Sequence, residues 1–440
     1  MLNRILKITV GIFAVALLAG CNMRTVEQLY APPRRPESYD NLQSQIDNAM
    51  VGMEYSTPLN GENRQAVQSA DLDGDGQMEY IVFAKHTGDK PLQILIFSGN
   101  EDGYFLLDTI ESTGSAIDLV EYAQMDNRLG AEIVVGRQLT DQLPRSVSVY
   151  TLQDGQIQQI LNANYSKFVC TDLDGDYKSE ILVLRPGQAD TENGVAELYS
   201  VENSTVERSQ EVSMSEPASA IKRIMVGTLD DGVNAVYVAS DVDGSAIITD
   251  IYAIVDDRFT NVSLSTEAGT SVQTLRNYYV YADDIDEDGV LELPNLITMK
   301  LPEDAASMEN QYLICWYSMN SKGQKMDELY TYHNYVGGWY LTLHQELAPR
   351  MVVSQQGNSF IFSVWDKDFE SLQKILSVYV LTGQKREEQA VTDNRFVLRR
   401  TESTVYAANL DVTSANYGIT KDDIIASFHL ILQDWNTGET

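Results

Sequence analysis

The sequence predicts a mainly β protein: a β-propeller built from four-stranded repeats of about 50 residues, followed by a small α+β domain. Three observations predict it. One arrangement of acids, Asp-x-Asp-x-Asp-x-x-x-Glu, recurs along the chain. A short apolar run follows each copy. Turn signals such as Asp154-Gly155 separate further apolar runs.

The first segment is not part of that fold. Residues 1–20 carry Arg4 and Lys7, then an apolar run from Ile8 to Leu18 and small residues before Cys21. This is the pattern of a secretory signal peptide. Leu18-Ala19-Gly20-Cys21 resembles a bacterial lipobox, which implies a lipidated Cys21 as the mature N-terminus. Such an anchor holds a protein at the extracytoplasmic face of a cell membrane without spanning it. Residues 21–47, with Pro32, Pro33 and Pro36, read as a semi-stiff tether. Leu42 to Met50 offers a helical turn or two.

The repeat domain is expected over residues 48–337. Its acidic loops are Asp71, Asp73, Asp75 and Glu79; Asp172, Asp174, Asp176 and Glu180; and Asp284, Asp286, Asp288 and Glu292. Four carboxylates at spacings of 2, 2 and 4 suit a hard cation with oxygen ligands, and calcium is the natural choice, up to three ions. The loops are not EF-hands, because position 12 is Val82, Val183 or Asn295 rather than an acid. In the second loop Tyr177 stands where the others have Gly76 and Gly289.

Two further copies have lost acids. One runs from Gln124 through Asp126 and Arg128 to Glu132. The other runs from Thr228 through Asp230 and Gly232 to Val236. Loop starts at 71, 124, 172, 228 and 284 give five recognisable repeats, acid-rich and eroded copies alternating. The eroded copies read as turns without metal, since Arg128 would set like charge beside a cation. Within the first period Tyr80–Ala84, Leu92–Phe97 and Tyr104–Ile110 read as strands, with Ala116–Tyr122 as the fourth. Radial four-stranded sheets leave only short, protected edges.

The loop Asp71-Leu72-Asp73-Gly74-Asp75-Gly76 entering an apolar strand resembles the FG-GAP/VCBS repeat of integrin-alpha-type propellers. With the lipobox, the chain resembles a repeat-containing lipoprotein of Firmicutes. The resemblance implies a propeller whose loops bind calcium through the twelve acids named above. It covers roughly residues 65–335. Integrin-type propellers have seven blades and five repeats are recognisable here, so the blade count is five to seven.

Residues 338–440 lack acidic loops of this type. Trp339–Leu343, Met351–Ser354, Phe360–Trp365, Ile375–Leu381, Phe396–Arg400 and Val405–Leu410 read as strands, and Asp366–Leu372 as a short helix. Thr420 caps an expected C-terminal helix whose apolar stripe runs from Ile424 to Trp435. The segment reads as a separate α+β domain; the alternative is that it forms two more blades.

Charge limits the partners. Without residues 1–20, 29 cations face 64 acids, and such a surface repels nucleic acid. Cys170 and Cys315 lie in apolar runs and read as buried thiols. No Gly-x-Ser-x-Gly, His-Glu-x-x-His or phosphate-binding glycine loop occurs. Ser371-Leu372-Gln373-Lys374 matches Ser-x-x-Lys without a Lys-Thr-Gly to complete it. A candidate aromatic binding surface gathers Trp316, Tyr317, Tyr335 and Trp339; the favoured alternative is that alternate aromatics here fill strands and the seam between the ring and the C-terminal domain. The expected function is a membrane-anchored, non-enzymatic module that binds a protein or an envelope glycan. The alternative is an extracellular carbohydrate-active hydrolase or lyase with acidic catalytic residues.

Overall fold

The computed structural model describes residues 37–139, 145–187, 192–202, 205–278, 280–302 and 311–431. The leader, Cys21 and Tyr279 lie outside them. The chain divides into two compact units. The first takes in the described part of Met1–Thr57 with Gln65–Asp71 and Gly76–Thr113. The second takes in Pro58–Arg64, Leu72–Asp75 and the described part of Gly114–Thr440.

The first unit opens with helix α1 (Glu37–Ala49). Leu42 and Ile46, one turn apart, pack on Val82, Leu95 and Phe97. The Asn41 side-chain oxygen accepts the Tyr104 N–H at 2.6 Å. The tether expected through residue 47 is therefore helical from Glu37. The sheet beneath holds β1 (Glu54–Tyr55), β2 (Val67–Ala70), β3 (Glu79–Lys85), β4 (Leu92–Asn100) and β5 (Gly103–Ser112). Ile81, Val82, Phe83 and Ala84 of β3 are all buried, so this strand is covered on both faces.

The second unit has five antiparallel sheets. The first three are four-stranded meanders: β6 (Ala116–Ala123), β7 (Glu132–Gln138), β8 (Arg145–Gln153) and β9 (Gln156–Tyr165); β10 (Lys167–Thr171), β11 (Glu180–Arg185), β12 (Val195–Glu202) and β13 (Thr205–Ser213); β14 (Ile221–Thr228), β15 (Asn234–Val242), β16 (Ala246–Val255) and β17 (Arg258–Asn261). The fourth holds β18 (Leu293–Thr298), β19 (Tyr312–Met319), β20 (Lys325–Asn334) and β21 (Trp339–Leu343). The fifth holds β22 (Met351–Gln356), β23 (Ser359–Trp365), β24 (Leu372–Thr382), β25 (Phe396–Arg400) and β26 (Thr404–Leu410).

These five sheets pack face to face in chain order. On β11, Ile181 and Val183 face the sheet before it while Leu182 and Leu184 face the sheet after it. On β15, Val236 and Val238 face backward and Ala235 and Tyr237 forward. That two-sided burial is why these strands are continuous apolar runs rather than alternating ones.

The phase of the repeat differs from expectation. Ala116–Ala123 pairs with β7, not with β5, so it opens the next sheet instead of closing the first. Four of the five repeat loops are thus hairpin loops inside one sheet, joining β2 to β3, β6 to β7, β10 to β11 and β14 to β15; the fifth leads into β18 and is closed by a single bridge between Asp283 and Glu292. The closing pairs are Ala70 with Glu79, Ala123 with Glu132 and Thr171 with Glu180.

The C-terminal hundred residues contain four differences. The boundary expected at 337/338 falls within the hairpin that pairs Asn334 with Trp339. Asp366–Ser371 is a turn, not a helix: the Asp366 carboxylate accepts the N–H groups of Glu370 and Ser371, and Phe369 has φ +57°. A helix α2 (Arg386–Gln389) follows β24. The last helix, α3 (Lys421–Ala426), has a capping box between Thr420 and Asp423 but ends after six residues. Phe428–Leu430 then forms β27 on the edge of β21, so the stripe from Ile424 divides between helix and strand.

Candidate metal centres

The hairpin registers explain how each loop gathers its acids. The glutamate at the ninth position starts the strand after the loop (Glu79, Glu180) or directly precedes it (Glu292), and turns back over the loop. Its carboxylate accepts the N–H of the loop's second residue: Leu173 to Glu180 at 2.8 Å and Ile285 to Glu292 at 3.0 Å. That second residue is apolar and buried in every copy, as Leu72, Met125, Leu173, Leu229 and Ile285. It anchors the loop to the core, and its recurrence among polar neighbours was a sequence signal the acid pattern overshadowed.

The first acid of each loop receives backbone N–H groups farther along. Asp71 accepts from Gly76 at 3.0 Å, Asp172 from Gly175 and Tyr177 at 2.7 and 2.9 Å, and Asp284 from Asp288 and Gly289 at 2.9 Å each. The tight wrap needs left-handed backbone at the sixth position. Gly76 and Gly289 supply it freely, whereas Tyr177 adopts φ +67°.

In consequence three triads have carboxylate oxygens within 4.8 Å of one another: Asp71, Asp73 and Glu79; Asp172, Asp174 and Glu180; Asp284, Asp286 and Glu292. Each could hold a metal ion. In each the first acid is half-buried, the second exposed and the glutamate buried. The remaining acids, Asp75, Asp176 and Asp288, stand outside these groups. Asp176 is held by the Lys178 ammonium at 2.5 Å, and Asp288 accepts the Val290 N–H at 2.8 Å. Burial, and the surrounding aspartates after it, push the Glu180 carboxyl up to about 7 and the Glu292 carboxyl up to about 8. Such crowding of like charge is what a cation would relieve.

The eroded copies are held by other partners. At the second site the Arg128 guanidinium occupies the gap. It lies 2.6 Å from Asp126 and 2.9 Å from Glu132, and donates to the Thr151 hydroxyl at 2.6 Å. Glu132 still accepts the Met125 N–H at 3.0 Å, so the loop keeps the shape of its acid-rich relatives. At the fourth site Asp230 accepts the Ser318 hydroxyl at 3.0 Å and Asp231 the Ser321 N–H at 3.1 Å.

The other sequence candidates fare differently. Trp316 and Trp339 are completely buried and Tyr317 nearly so, because strands covered on both faces have no solvent side. Three of the four aromatics expected on a binding surface are therefore core. Tyr335 is 47% exposed and lines a cavity of about 530 Å³ with Tyr278, Tyr312, Tyr332 and His333. Ser371 lies in the turn before β24 and Lys374 within that strand, with the Ser371 hydroxyl donating to Asp366. The helical spacing that Ser-x-x-Lys requires is absent. Cys170 and Cys315 are free thiols on β10 and β19.

No family model and no curated protein matches the chain. It is similar to several solved structures. These include the exotype rhamnogalacturonan lyase YesX, at 14% identity and TM-score 0.32 over 74% of this chain, and Bacillus licheniformis rhamnogalacturonan lyase PL11, at 13% and 0.32 over 73%. TolB from Acinetobacter baumannii is similar at 12% and 0.25 over 78%. The chain spans 65%, 72% and 70% of those proteins. Likeness at this level carries no argument about chemistry.

Proposed function

We propose that the chain is a calcium-stabilised, propeller-type module, lipid-anchored through Cys21 at the extracytoplasmic face of a cell membrane, that binds a protein or glycan and performs no reaction itself. The observation that carries this reading is the set of four equivalent loops. Three present a carboxylate triad, and the loop from Gln124 to Glu132 closes in the same way with the Arg128 guanidinium in the gap. A space that one copy fills with its own cation is a space the others fill with a free one. Oxygen donors alone, all hard, favour calcium over softer metals. Asp71, Asp73 and Glu79 and their counterparts would hold it. The ions would tie each hairpin to its sheet rather than serve catalysis.

Extracellular calcium modules bind at about 10⁻⁴–10⁻³ M. At a hundredfold excess over the dissociation constant, one site adds about 2.7 kcal/mol. Chelation should lower the melting temperature of the purified chain, and added calcium should restore it. An unchanged melting curve with chelator, together with no calcium by elemental analysis, contradicts the reading. For the anchor, Cys21→Ser should leave the protein unprocessed or release it from the membrane. Mature protein that still fractionates with membranes would count against lipidation.

A further inference from the structure

The chain carries 31 cations against 64 acids, yet one hollow of the second unit runs the other way. Its volume is about 460 Å³, and Arg64, Arg145, Lys167, Lys222 and Arg223 line it against Asp118 and Glu121. Five cations on one cavity is contrary to the composition around it.

The position is set by the fold. Strands β6, β10 and β14 are the opening edge strands of three consecutive sheets, and all three contribute to the lining. Two of them bulge at lining residues. The register of β6 slips between Ile117 and Leu119, which sets out Asp118, and that of β14 slips between Ile221 and Arg223, which sets out Lys222. Bulges of this kind re-aim side chains beside binding sites.

The two acids are engaged internally. Asp118 is buried and accepts the Tyr165 hydroxyl at 2.5 Å and the Asn60 amide at 2.8 Å, with Arg145 at 3.5 Å. Glu121 is largely buried and contacts the Cys170 thiol. By contrast, no ion pair among the described residues involves Arg64, Lys167 or Lys222. The Arg64 Nε donates to the Gly61 carbonyl at 2.8 Å, which fixes the base of its guanidinium. Lysines on sheet edges also deter edge pairing. That role does not account for Arg64, nor for cations of separate sheets converging on one hollow.

We propose that this cavity binds the oxyanion group, carboxylate or phosphate, of an acidic ligand. Arg64, Lys167 and Lys222 supply the charge, and Asp118 positions Arg145 and Asn60. The acidic surface elsewhere repels such a ligand, so recognition is confined to this one place. The proposal rests on reading the chain as a binding module and names the chemistry of what it binds.

Titration calorimetry of the calcium-loaded full chain with glucuronate, glucose 6-phosphate and glucose tests it. At least one acid should bind and glucose should not; the better acid identifies carboxylate or phosphate as the group recognised. Raising sodium chloride to about 1 M should weaken binding, since screening then acts within about 3 Å. Lys167→Ala with Lys222→Ala should lower the affinity about tenfold or more. Lys167→Arg with Lys222→Arg should retain most of it. Acids that bind no better than glucose, or as well to the alanine pair as to the native chain, overturn the proposal. The calcium response should be the same in all these variants, so its loss would point to failure of the scaffold reading instead.

Discussion

The Arg128 guanidinium lies 2.9 Å from the Glu132 carboxylate, in the place where three sister loops bring acids together around a gap. Glu132 is buried, and burial raises its carboxyl while Arg128 draws it down. This loop has an internal counter-charge. Arg128→Ala would leave a buried carboxylate without its main partner, at a cost of about 2–3 kcal/mol that calcium does not restore. Arg128→Asp returns an acid to the fifth position and should make the loop depend on calcium. Melting curves with and without the ion check both. An Arg128→Ala variant as stable as the native chain would show the pair to be incidental.

Tyr177 holds φ +67° and is 91% exposed, so its side chain gains little for the strain of its backbone. Tyr177→Gly should stabilise the calcium-loaded protein by up to about 1 kcal/mol, the left-handed penalty less the added freedom of the unfolded chain. Denaturant unfolding measures it, and a loss of stability would show that the ring makes contacts of value.

The His333 ring stacks on Tyr340 with centroids 4.8 Å apart, and its Nε2 lies 2.8 Å from the Thr331 hydroxyl. Burial pushes its imidazole down to about 3 from an ordinary 6.5. The unfolded chain therefore binds the proton first, and the neutral ring's contribution is present above pH 6.5 and lost as pH falls towards 3. His333→Gln should lose less stability than the native chain over that window. Parallel losses would remove His333 from the acid response.

Helix α1 covers Val82, Leu95 and Phe97 through Leu42 and Ile46. Leu42→Ala should lower stability by about 2–4 kcal/mol, as loss of a buried leucine does. Denaturant unfolding measures it, and a variant as stable as the native chain would contradict the docking.

How much of this was legible depended on periodicity. The acid register located all three triads, because spacings of 2, 2 and 4 mark a loop closing on itself. It does not say which sheet a strand joins, and Ala116–Tyr122 reads as the last strand of the sheet before its own. The run from Ile424 to Trp435 reads as one helical stripe, but Phe428 pairs with Leu341 and short apolar runs are ambiguous between helix and strand. Trp316 and Trp339 belong to a stretch dense in aromatics, as a binding surface would be, yet both faces of their sheet are covered. Arg128 reads as an obstacle to metal; that it pairs with both Asp126 and Glu132 became visible only in the fold. The cations of the hollow lie on separate strands, and no local pattern links Arg64, Lys167 and Lys222.

Calorimetric titration of metal-free protein with calcium tests the central claim most directly. Binding should saturate at no more than three ions in the repeat loops, and Asp73→Ala with Asp286→Ala should remove two of them. No calcium binding, or an ion coordinated by Asp126 or Asp230 in a metal-bearing structure, would contradict the account.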